Sequence, residues 1–297
     1  MRFLAEFIMR GRLQAIVVVV AAAAIPMLSW LAAAASSLVL LRRGLRDGLG
    51  VAVWALLPAV VWWLLGDPRG LLVILGGQLL ALVLRGSVSW QAVLLCSVGL
   101  GGLYVLVIEQ MFGQSIQLLV AEVQRLLPTA LPEVWNGMDA QQQLQLMAVF
   151  ASVMTGLIAA LLQGLALLAL MLGRYWQALL YNPGGFGREF RALRLSPPLA
   201  IMLLAVVLMA PGLGAPAALL MPLCSVPLVF ASLALVHGLA ARQQLARFWV
   251  VGLYVGLVLF LQFIYPLLAI LAVVDSVFDF RGRAPQVQGE GPTDGEG

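Results

Sequence analysis

Lysine is missing from this 297-residue chain, histidine occurs once, cysteine twice, and charged side chains make up only 10%. All seventeen basic residues are therefore Arg, a compositional bias rather than a nucleic-acid signature, because they are spread over short loops. The Gly-rich passages are not phosphate loops: no Lys-Ser/Thr pair follows and no strand precedes. A Ser-His-Asp set would have to use His237, and Gly-x-Ser-x-Gly is absent. Cys96 and Cys224 have no pair spacing and read as small packing residues. With one His, a transition-metal site is not expected. No acid occurs inside an apolar span before Asp275, so no paired-carboxylate site forms. These absences argue against an enzyme and against a bound cofactor.

What is present is hydrophobic: 63% of residues, with a mean hydropathy of +1.03. Asp, Glu, Arg, Lys and His are lacking throughout 13–41, 48–66, 70–84, 86–108, 140–173, 195–236 and 248–274. A soluble helix needs a wet face, whereas a bilayer-spanning helix needs about 20 mostly apolar residues. The pattern predicts an all-α, polytopic transmembrane helix bundle over residues 1–280, with a disordered polar tail at 281–297. The bilayer is its first partner.

The stretch 13–41 would make about 44 Å of helix, too long for one comfortable span. Pro26 divides it into 10–26 and 28–41. Further spans are expected at 48–66, 70–85, 89–108 and 141–173. Residues 198–240 should split at Pro211–Pro216, and 248–274 makes the last span. This gives eight or nine crossings. The segment 109–140 reads as a non-cytoplasmic acidic loop carrying an amphipathic surface helix through Ile116, Leu119, Val120, Val123, Leu126 and Leu127. Arg placement puts the N-terminus and the basic 174–197 loop in the cytoplasm.

Five small residues, Ala148, Ser152, Gly156, Ala160 and Gly164, recur at i+4 on one helix. They form a groove that admits another backbone, either an internal seam or a docking face for another membrane subunit. Gly252 and Gly256 repeat the motif on the last span. Gln78, Gln163 and Gln262 are polar residues inside apolar spans, and each must find a partner or line a cavity. They are the candidate pocket residues. The passage Arg174-Tyr175-Trp176 through Asn182-Pro183-Gly184-Gly185-Phe186 to Arg188 and Arg191 combines interfacial aromatics, a helix stop and an Arg-bearing amphipathic segment. It suits anionic lipid or a cytoplasmic partner.

The residues 174–186, with Glu189-Phe190 and Leu193-Arg194-Leu195, and the C-terminal Asp275-x-x-x-Asp279-Phe280-Arg281, resemble the YybS-like bacterial membrane proteins, a family of unknown function. The resemblance covers about residues 5–280. Through it the chain is distantly similar to the S-components of energy-coupling-factor vitamin transporters and to MreD of the rod-shape machinery. Arg43-Gly44-x-x-x-Gly48 is similar to the Gly-rich helix turn of that group. Residues 10–26 lack the Ala-x-x-x-Ala face of S-components, since Ala15 is followed by Val19. The resemblance implies an S-component-like core. It also implies one of two roles: binding or transport of a neutral or lipid-like small molecule, or a non-catalytic scaffold that docks partners through the groove and the basic loop.

Overall fold

The computed structural model describes residues 1–242, 247–278 and 280. Helices dominate, and no strand occurs among the described residues. Three shorter helices, α1 (Arg2–Arg10), α2 (Arg12–Ala23) and α3 (Ser29–Arg43), precede α4 (Leu45–Leu64) and α5 (Arg69–Ser87). Two long ones, α6 (Trp90–Ala130) and α8 (Ala140–Tyr181), are joined through the short α7 (Pro132–Asn136). Then come α9 (Gly185–Ala192), α10 (Pro197–Met209), α11 (Ala215–Ala218), α12 (Leu220–Arg242), α13 (Arg247–Leu259) and α14 (Leu261–Phe278).

Six stretches among the described residues are long and apolar enough to cross a bilayer: α4, α5, α6, α8, residues 215–242, and α14. A pair bent by 68°, Gly185–Ala192 with Pro197–Leu213, would make a seventh. The chain is a multi-pass, all-helical membrane protein. The stretch 13–41 divides at Pro26–Leu28, as its proline implies. Its two pieces, 12 and 15 residues long, give only about 18 and 22 Å of helix. The stretch 198–240 divides at residues 210–214, again at its prolines. The stretch 248–274, expected as one span, is broken at Phe260. Pro266 lies shortly after the break and leaves the Gln262 carbonyl without its helical donor.

The chain packs as two units, 1–188 with 205–227, and 189–204 with 228 onward. In the first, α3 is the central helix, with α2, α4, α5 and α8 against it. Residues Ala32 to Leu40 are all buried, as expected of a helix apolar on every side. Its small side chains let the neighbours approach. At its C-terminus Gly44 takes φ +100°, a conformation that costs glycine little. Gly48 then lies against Leu40, where a Cβ would come within 2.6 Å of the Leu40 Cα.

The carbonyls at this end find donors. Arg85 Nη1 donates to Leu40 O (3.0 Å) and Leu41 O (3.2 Å), and Gln177 Nε2 to Leu41 O at 3.3 Å. Arg43 Nη2 donates to Met9 O at 2.6 Å, and the Arg42 guanidinium lies 4.0 Å above the Tyr181 ring. Cations suit helix C-termini, where the backbone dipole is negative. The opposite end is marked by Trp62 Nε1 donating to Ala24 O (3.1 Å) and by the Asp67–Arg69 pair (2.7 Å).

The amphipathic helix expected within 109–140 is present as the continuation of α6, not as a separate surface element. Gln, Glu and Leu are good helix formers, and Gly113 alone does not stop a helix already running. At 41 and 42 residues, α6 and α8 make about 60 Å of helix each, twice the hydrocarbon thickness of about 30 Å. An Asp139–Gln142 capping box starts α8. The second unit holds the remainder of α12 with α13 and α14. There the Ser232 hydroxyl donates to Leu268 O, and Phe190, His237 and Tyr254 stack edge to face at 5.5 and 5.8 Å. The polar tail expected at 281–297 lies outside the described residues.

Candidate functional site

Gln78 and Gln163 are engaged between helices through their side-chain N–H groups, while the Oε1 of each is buried without a partner. Gln78 Nε2 donates to Ser36 Oγ at 2.7 Å, with Ser37 Oγ at 3.4 Å, tying α5 to α3. Each serine spends its own proton on a carbonyl, Ser36 on Ala32 O and Ser37 on Gly77 O, so each accepts from the amide. Gln163, fully buried, donates through Nε2 to Ser97 Oγ (2.9 Å) and Leu223 O (3.3 Å). Its Oε1 points at the backbone of Gly101, where a Cβ would come within 2.9 Å. Gln262 is exposed on α14, so the structure gives it no interior to line. Serines 36, 37 and 97 were not singled out from the sequence, although a Ser-Ser pair inside a charge-free run is the signal that could have found two of them.

A cavity lies elsewhere among the described residues. A cleft of about 300 Å³ opens between α6 and α8. From α6 it is lined by Glu109, Gly113, Ile116 and Gln117; from α8, by Ala151, Ser152 and Thr155. Small residues on both helices leave the gap. The Thr155 hydroxyl donates to Ala151 O at 3.0 Å. Among the described residues, no three His, Cys, Asp or Glu side chains converge as a metal site would require.

The small-residue groove serves several neighbours. At Gly156 a Cβ would sit 2.5 Å from Leu219 O and 2.8 Å from Pro222 Cγ, so a backbone from the 215–222 segment lies in the groove there. Ser152 faces the cleft, Ala160 is buried, and Ala148 is exposed. Gly164 has open space before it. On α13, Gly256 meets Ile264 Cδ1 of α14, and Gly252 faces open space.

The basic passage is more ordered than a loop. Arg174, Tyr175 and Trp176 belong to the last turns of α8. Trp176, expected at the headgroup level, is fully buried on this last stretch of α8. The helix stops at Asn182, and Gly184 (φ +79°) turns the chain through Pro183 and Gly185 into α9. Phe186 packs edge-on against Trp90 and Tyr175, at 6.2 Å each. Arg188 and Arg191 are exposed. The Leu193-Arg194-Leu195 segment meets the C-terminal motif: Arg194 Nη2 donates to Asp275 O (3.0 Å) and Ser276 O (2.8 Å). Asp275 is only 2% exposed and Phe280 is exposed. Asp279 and Arg281 lie outside the described residues.

No family model matches the chain, and neither a curated protein nor a solved structure is significantly similar to it.

Proposed function

We propose that this chain is a bacterial inner-membrane assembly subunit of the YybS-like type, in the manner of MreD. It acts without catalysis, by presenting surfaces to partner proteins. The observation that carries the reading is the length of α6 and α8. Roughly half of each exceeds the bilayer, and this outer part bears exposed apolar side chains, with Leu118 74% and Leu144 73% exposed. Leu119, Leu126 and Val134 continue the surface. Apolar side chains grouped outside lipid mark interaction surfaces. Glu109, Glu122, Glu133 and Asp139 stand there against one Arg, Arg125, so the partner face would combine apolar and basic groups. Engagement of Gln78 and Gln163 in interhelical bonds supports a packed core over an internal solute pocket.

The positive-inside rule sets the orientation: the N-terminus and the Arg-lined end in the cytoplasm, the α6–α8 projection on the far side. Eight or nine crossings would require the bent pair to cross and one or both of α2 and α3 to count as partial spans. Binding of a small molecule in an S-component-like core is the second reading, favoured by the cleft at Glu109. Purification from cross-linked membranes in mild detergent tests the assembly role. A stoichiometric partner captured by the wild type and lost with Leu118→Asp/Leu126→Asp is expected. A chain that purifies alone before and after cross-linking would overturn the reading.

A further inference from the structure

The cleft between α6 and α8 is independent of that assembly role. We propose that it binds a primary ammonium group, supplied by an aminophospholipid headgroup or by a small free amine. Its depth supports this. Glu109 is 19 residues beyond Trp90 on one unbroken helix, about 28 Å along the axis and close to one hydrocarbon thickness. Trp90 packs on Phe186, which also touches Tyr175, next to Arg174 at the Arg-lined end. Glu109 therefore stands at the opposite membrane boundary, where headgroups lie.

The lining selects the charge of the ligand. No basic side chain contributes to the cleft. The Glu109 carboxylate has no hydrogen bond or ion pair among the described residues. Arg125, the only basic residue between 109 and 139, is held by Glu122 at 2.6 Å. An anion would meet an uncompensated like charge, whereas a cation would be attracted.

The remaining groups select the kind of cation. With its proton spent on Ala151 O, the Thr155 hydroxyl offers lone pairs. The Ser152 hydroxyl and the Gln117 amide oxygen offer more. Three acceptors beside a carboxylate match the three N–H donors of a primary ammonium. A quaternary ammonium has no such donors and is held by aromatic faces, and no aromatic residue lines this cleft. A divalent cation would want several more oxygen ligands, typically more than one carboxylate. The volume, about 300 Å³, is at the small end of ligand sites and fits a headgroup.

The test uses full-length protein in nanodiscs and compares wild type with Glu109→Gln, a change at an exposed, unpaired position that leaves packing intact. Ser152→Leu, which fills the cleft from the other helix, is the second variant. Native mass spectrometry reads the retention of phosphatidylethanolamine against phosphatidylcholine. Thermal unfolding in phosphatidylcholine discs reads the response to added ethanolamine, with choline as control. Retention of phosphatidylethanolamine at least fivefold above phosphatidylcholine, abolished by both variants, assigns the site to a lipid headgroup. Stabilisation by ethanolamine but not by choline, abolished by both variants, assigns it to a free amine. Equal retention with no response to ethanolamine overturns the proposal, and so does a preference that survives Glu109→Gln.

Discussion

Gln163 supplies the hydrogen bond that Pro227 cannot. The Leu223 carbonyl, one helical turn before Pro227, has no backbone N–H to accept from, and Gln163 Nε2 reaches it from α8 at 3.3 Å. A buried carbonyl left open in an apolar surrounding would cost about 1–3 kcal/mol. Gln163→Leu should destabilise the protein by about 1–2 kcal/mol, read by SDS-induced unfolding in mixed micelles. In a Pro227→Ala background, where the backbone again has its N–H, the penalty should fall by at least half. Strictly additive penalties would show that the two residues are not coupled.

Tyr104 and Gly76 form a second such pair. The Tyr104 hydroxyl donates to Leu72 O at 2.7 Å and occupies the notch that Gly76 leaves, where no Cβ could fit beside it. Gly76→Ala should cost about 1–3 kcal/mol through overpacking. Tyr104→Phe removes only the hydrogen bond and should cost about 1 kcal/mol. With Tyr104→Leu already in place, Gly76→Ala should become much milder. Thermal unfolding of the four variants would decide, and an unchanged Gly76→Ala cost would count against the notch.

The small-residue stripe separates into a filled part and an open part. Gly156→Leu would drive its side chain into the Leu219 backbone and should lower the melting temperature by several degrees. At Gly164 an added Cβ meets nothing within 4 Å, and Gly164→Leu should leave the isolated chain as stable as wild type. If the open part docks another subunit, Gly164→Leu abolishes co-purification without unfolding the protein. Equal destabilisation by both substitutions would contradict the division.

Between α4 and α5, the Arg69 guanidinium, donating to Asp67, holds the Asp67 carboxyl below its ordinary range, against the opposing effect of burial. A carboxyl with a lowered folded pKa contributes stability above the unfolded pKa and loses it as pH falls through the folded value. Amide protection over residues 65–70, exchange corrected for its intrinsic pH dependence, should therefore be high at neutral pH and fall in acid below the carboxylate range. Asp67→Asn should show lower protection at neutral pH and no acid step. A wild-type turn indifferent to acid would argue against the pair.

The membrane class and most helix limits were legible because a charge in lipid is costly and a proline in a helix leaves a mark. Pro26 and Pro211–Pro216 fell where the helices divide. The continuation of α6 past Ile108 was not legible, because Glu109 and Gln110 look alike at the start of a loop or on the wet half of a long helix. The burial of Trp176 and the exposure of Gln262 were not legible for a related reason: hydropathy places a residue along the membrane normal, not toward or away from a core. The cleft was beyond reach, since its lining joins residues far apart in sequence, Glu109 to Gln117 on α6 and Ala151 to Thr155 on α8.

Side-specific labelling tests the architecture on which the assembly reading rests. Cysteine would be placed at Leu118 or at Arg188 in a Cys96→Ala/Cys224→Ala background. Spheroplasts would then be treated with a membrane-impermeant maleimide before and after permeabilisation. With the α6–α8 projection outside, Leu118→Cys should label at once and Arg188→Cys only after permeabilisation. Protection of Leu118→Cys under both conditions, or labelling of both positions from the same side, would contradict this orientation.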